Sequence, residues 1–285
     1  MNQLKLVATA DRLPLVDKIF FMLRFAIFLL SFLFSAGLLA QVDDITERTL
    51  TKTSRILPHP PVHERDLLWE KRTWEIIDAR QKLNQVFLYP EEPFFLILQQ
   101  AIEEGQVQAY DSDRFQTALT EAEFGDKIFR LDTIEVFNVN TYVPELKVIR
   151  DEINIEEVVR YRLSELWYFD SRTSQLRVRI LGIAPLKSEY DEHGNFLYEL
   201  PMFWVPYADL REVLARREVF VEGNDGARYT WDDLFEQRRF TGTIYQESNI
   251  RGERIQDYRS GRDAVLTAEA IRQEIFNWEQ DRWSY

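Results

Sequence analysis

The sequence predicts an α+β fold with long N-terminal helices, a small and largely antiparallel sheet around residues 160–207, and C-terminal helices. Three observations predict it. Trp69, Ile76 and Leu83 recur at sevens within Val62–Gln85, beside a stripe of Leu67, Trp74 and Ile77, which is a helix-period pattern. Gln175–Pro185 alternates basic and apolar residues and then turns wholly apolar, as a strand does when it is half exposed at its start and buried at its end. At the far end of the chain, Ala268, Ile271, Ile275 and Trp278 fall at i, i+3, i+7 and i+10.

Ahead of these elements, Phe25–Ala40 is a run of sixteen uncharged residues preceded by Arg24 and followed by the polar Gln41-Val42-Asp43-Asp44. A basic start, an apolar centre and a small residue before a polar stretch are the layout of a secretory signal peptide. As a helix the run reaches about 24 Å at 1.5 Å per residue, short of a ~30 Å hydrocarbon core, so cleavage after Ala40 is expected rather than a membrane anchor. Starting at Met22 would give a compact signal, and Met22 is the expected start. Residues 41–57 are polar, Thr-rich and aperiodic, and are expected to be a flexible linker before one α+β domain at 58–285, subdivided near residue 150.

Within that domain Pro58–Pro61 is expected to be extended, because a residue before proline is pushed out of the α region. The helix over Val62–Gln85 follows and stops at Tyr89-Pro90. Pro93 then opens a second helix, Phe94–Glu104, with Gly105 as its cap. Asp113–Glu123 reads as helical, and Lys127–Phe137 shows alternation. Arg160–Asp170 reads as a strand or a short helix packed on one. Ser171–Ser174 is a turn, and Asp191–Asn195 connects the strand at Gln175 to a returning strand over Phe196–Tyr207. Tyr207–Arg217 reads as a helix, and Thr230-Trp231-Asp232-Asp233 is a helix start close to a capping box.

Composition narrows the function. The first forty residues hold four basic and two acidic side chains against a whole-chain net charge of −13, so the remaining 245 stand at −15. That argues against nucleic acid, whose phosphates need a basic face, and against adhesion to anionic lipid. The chain has no cysteine, which removes disulfides, thiolate metal sites, a cysteine nucleophile and a lipidated cysteine. Attachment to a membrane would come through another protein. His59 and His63 are four apart, but Pro60 and Pro61 lie between them, so no helical ligand pair is expected. There is no GxSxG, P-loop or GxGxxG motif. Paired acids such as Asp151-Glu152 and Asp232-Asp233 leave open an exported hydrolase using two carboxylates. Asp232-Asp233 is better explained by helix-start chemistry. No catalytic residue, cofactor or metal is expected.

Several segments together resemble the gliding-motility protein N family. They are Pro60–Gln85 (PPVHERDLLWEKRTWEIIDARQKLNQ), Tyr89-Pro90, the blocks Tyr168-Phe169-Asp170 and Gly182-Ile183-Ala184-Pro185, Phe203-Trp204-Val205, Tyr229–Phe240 and Tyr245–Asn249. The resemblance spans roughly residues 58–260. It implies a periplasmic component of the type IX secretion and gliding machinery of Bacteroidetes. Such a protein assembles into a ring under the outer membrane with an outer-membrane lipoprotein, beside the periplasmic parts of an inner-membrane motor. It implies no catalytic residues. Trp and Arg carry much of the binding energy of protein interfaces. Arg65, Trp69, Arg72, Trp74 and Arg80 in Pro58–Gln85 are therefore the candidate contacts with the lipoprotein or a neighbouring subunit.

Overall fold

The computed structural model describes residues 53–283 apart from 138–143, 153, 192, 225 and 227. The expected signal peptide, the Met22 start and most of the 41–57 linker lie outside the described residues. No described helix is long and apolar enough to cross a membrane.

The α+β class holds, but the long N-terminal helix over Val62–Gln85 does not form. Its place is taken by a short 3-10 turn at Glu64–Asp66, strand β1 at Leu67–Asp78 and a 3-10 stretch at Lys82–Leu88. The physical reason lies in the interval of seven. Seven residues bring a helix back to nearly the same side but carry a strand to its opposite face, because side chains alternate with a period of two. The alternating row is Trp69, Lys71, Thr73, Glu75 and Ile77. It was hidden because Lys71, Thr73 and Glu75 read as surface, whereas Thr73 and Glu75 are buried. β-branched and aromatic residues in the segment suit a strand paired on both sides.

The hairpin β2 (Phe129–Phe137) and β3 (Pro144–Glu152) forms a separate two-stranded sheet. The main sheet adds β4 (Arg160–Asp170), β5 (Gln175–Tyr190), β6 (Phe196–Pro201), β7 (Val205–Pro206) and β8 (Thr243–Glu247), in the order β6-β5-β4-β1-β8 with β7 also paired to β5. Every pairing is antiparallel, so the expectation for 160–207 is met, with the returning strand split into β6 and β7. Bulges at Ser164/Glu165 and Trp74/Glu75 bend the strands.

Helix α1 (Phe94–Glu103) starts after Pro93, and Gly105 follows in the left-handed region at φ 68°. The helix expected at Asp113–Glu123 starts later. Thr120 and Glu123 form a reciprocal capping box that opens α2 at Glu121–Ile128. Helices α3 (Tyr207–Leu214), α4 (Trp231–Glu236), α5 (Ile255–Tyr258) and α6 (Gly261–Trp283) complete the fold, with the expected capping box between Thr230 and Asp233.

One face of the sheet carries two apolar clusters with charge between them. The register Trp69↔Phe169, Lys71↔Trp167, Thr73↔Glu165, Glu75↔Leu163, Ile77↔Tyr161 sets them out in order. Around Ile77 and Tyr161 lies the larger cluster, where the Phe87 ring meets Phe94, Tyr161, Trp231 and Phe235 at centroid distances of 5.2, 5.4, 5.1 and 5.9 Å. Around Trp167 lies the smaller one, built with Ile244, Ile255, Ala268, Ile271 and Ile275. The apolar stripe of α6 thus has its surface. Between the clusters Arg238 donates to Glu165 at 2.6 Å and to Glu75 at 2.9 Å, and Arg272 donates to Glu75 and to the Gly242 carbonyl. Position 242 must be glycine here, since an added Cβ would lie 2.6 Å from Glu75 Cγ. Burial, opposed by Arg238 and reinforced by Glu75, pushes the Glu165 carboxyl up to about 7.

Candidate interaction surface

The five candidate contacts do not form one surface. Arg65 is exposed in the Glu64–Asp66 turn, 3.6 Å from Asp66. Trp69 faces the smaller cluster and stacks on Trp278 at 5.0 Å. Arg80 is exposed and forks onto Asp78 at 2.8 and 2.6 Å, holding that carboxyl at about 2 with help from Arg160. Arg72 and Trp74 lie on the opposite face of the sheet from Trp69, and these two alone of the five come together. Because Trp69 packs against the last helix, Trp69→Ala is expected to lower stability by about 2–3 kcal/mol in urea denaturation. An unchanged midpoint would show that the stack contributes nothing.

Arg72 and Trp74 line a cleft of about 530 Å³ between residues 111–114 and 245–252. Its roof is set by backbone pairing of Tyr110 with Trp204, 2.8 Å in both directions, and by Phe115, which sits at φ 54° and lays its ring on Gly182. A Cβ at Gly182 would stand 2.5 Å from that ring, so the strap requires glycine beneath it. The indole N–H of Trp74 donates to Asp113 at 2.8 Å and ties the strap to β1. Arg162, next along this face on β4, stands 4.3 Å from the Tyr245 ring centre. Tyr245 belongs to the Tyr245–Asn249 motif, and Arg162 to the aromatic-basic pair Tyr161-Arg162, but neither is among the five candidate contacts. The local signal for Arg162 was an arginine inside the otherwise apolar Tyr161–Leu163 run.

The acids and histidines take up structural posts. Asp232 is buried and accepts from Arg211 at 2.9 and 3.2 Å and from the Tyr207 hydroxyl at 3.3 Å. Burial, with Glu236 and Asp232 near, raises the Tyr207 pKa. Asp233 caps α4 through Thr230. Asp191 accepts from the backbone of His193 and Asn195, which is turn chemistry. His59 lies 3.4 Å from Glu236, and burial lowers its pKa. Among the described residues, no group of three or more His, Asp or Glu side chains could hold a metal ion.

No curated protein is similar enough to the chain to match it. The family described as gliding motility associated protein GldN matches residues 62–284. That range takes in every strand of the main sheet, the cleft and all of α6. The resemblance read in the motifs from Pro60 to Asn249 is borne out, and the chain belongs to the gliding motility associated protein GldN family.

Proposed function

We propose that the chain is a non-enzymatic structural subunit of a periplasmic ring complex in the type IX secretion and gliding machinery. It assembles with an outer-membrane lipoprotein and with further copies of itself, beside the periplasmic parts of the inner-membrane motor. It sits at the outer membrane through its partner rather than by inserting into it. The observation that carries this reading is the family match over residues 62–284. The export signature at Phe25–Ala40, the lack of cysteine and the acidic charge support it.

Self-association has a supporting feature in β6, the edge strand of the main sheet. Phe196, Leu197, Tyr198 and Leu200 on it are each about half exposed, between 50% and 54%. Edge strands that stay single are usually blunted by lysine or other charge, and Glu199, turned to Arg160, is the one charged residue in β6. In an antiparallel pair of two copies centred on Tyr198, the row of Phe196, Tyr198 and Leu200 would run on into its counterpart. Co-purification of the tagged chain with a lipoprotein from the outer-membrane fraction is the expected result. Tyr198→Lys is expected to lower the self-associated fraction in sedimentation about tenfold while the circular dichroism spectrum stays that of the parent. A wild-type chain that stays monomeric and binds no envelope partner would end this reading.

A further inference from the structure

We propose that the cleft beneath residues 111–114 binds a carboxylate group presented by an acidic peptide segment, with Arg162 at its base as the receiving cation. Arg162 is 7% exposed, and its Nε is buried with no hydrogen-bond partner. It forms no ion pair among the described residues, because the acids around it are committed elsewhere. Glu199 is held by Arg160 at 2.8 Å, Asp113 accepts from Trp74 at 2.8 Å, Asp111 pairs with Lys127 at 2.9 Å, and Glu247 pairs with Lys71 at 2.6 Å. A buried guanidinium short of a counterion is costly to keep, and such a group in a native fold calls for a partner that is not part of the chain. Burial is the leading cause lowering its pKa.

The surroundings say which anion fits. Arg162 Cζ sits over the Tyr245 ring at 4.3 Å from its centre, and the planar fork of guanidinium donors matches a planar carboxylate. Arg72 and Arg114 add positive charge along the cleft, against the net −13 of the whole chain. The walls also contain Asp111, Asp113 and Glu247, which repel a dianionic phosphate more strongly than a singly charged carboxylate. Trp74 and Trp204 offer apolar walls for the residues flanking an acidic side chain. The volume of about 530 Å³ falls in the roughly 300–1,000 Å³ range of ligand sites.

Carboxylate binding in the cleft is separable from ring assembly, since purified chain and peptide suffice to measure it. The full chain is titrated with acetylated hexaglutamate, hexaglutamine, succinate and inorganic phosphate, followed by tryptophan fluorescence and calorimetry. Hexaglutamate is expected to saturate and to bind about tenfold or more tightly than hexaglutamine. Arg162→Gln and, separately, the exposed Arg114→Ala are each expected to weaken it by about tenfold. Arg162→Gln is expected to melt no lower than the parent, because relief of an uncompensated buried charge offsets the contact with Tyr245 that goes with it. Arg114→Ala decides the matter if Arg162→Gln does not fold. Equal affinity for hexaglutamine, phosphate or succinate, or hexaglutamate binding that Arg114→Ala leaves unchanged, would overturn the proposal.

Discussion

Arg238→Ala is expected to destabilise the protein by about 3–5 kcal/mol at pH 8, because it strands the Glu165 carboxylate in the interior beside a Glu75 left with Arg272 alone. The side chains of Glu75 and Glu165 are 3% and 1% exposed, and among the described residues Arg238 alone bonds both. Arg272 would still answer Glu75, so Glu165 bears most of the loss. Its carboxyl already stands at about 7 in the folded protein against an ordinary 4.5. Between those values the native state holds a proton that the unfolded chain has released. Stability from this group therefore falls as pH rises through the window, and the penalty is complete above pH 7 and absent below about 4.5. Without Arg238 the penalty deepens, so the loss measured by urea denaturation should be about 1–2 kcal/mol smaller at pH 5 than at pH 8. A loss that is the same at both pH values would show that Glu165 does not feel Arg238.

Asp232→Ala is the second large effect, expected at about 3–4 kcal/mol. Arg211 is 5% exposed and loses both arms of its fork, keeping Glu236 at 3.5 Å and the Leu57 carbonyl at 2.9 Å. The Leu57 contact gives a second readout. Arg211 pins the chain just before the domain, so a reoriented guanidinium should release it, and tryptic cleavage at the exposed Arg55 should quicken. Asp232→Asn keeps the shape with a neutral acceptor and should lose less. If Asp232→Ala is as stable as the parent, the pair merely breaks even with its desolvation.

What the sequence made legible was governed by local rules. The stripe of α6, the capping box at Thr230 and Asp233, the proline start of α1 and the hairpin from β4 to β5 each depend on neighbours within a few residues. β1 was not legible, because its burial is decided by β4 and β8, about 90 and 170 residues further on. With both partners in place, Thr73 and Glu75 turn inward, against every local indication. The five candidate interface residues failed to cohere for the same reason: read as a helix, Trp69 and Trp74 lie in adjoining stripes, while as a strand they point to opposite faces. Arg162 could not be singled out, since what marks it is the commitment of four acids from distant segments to other partners.

The position of β1 between β4 and β8 also sets the order of events as the chain is made. β1 leaves the ribosome early, yet one of its edges waits for β4 and the other for Thr243–Glu247 near the C-terminus. Contacts of such long sequence separation slow folding, because loop closure must precede their reward. Until Thr243–Glu247 arrives, the nascent chain therefore carries an unfinished sheet, and β1 finishes pairing only once β8 has been made.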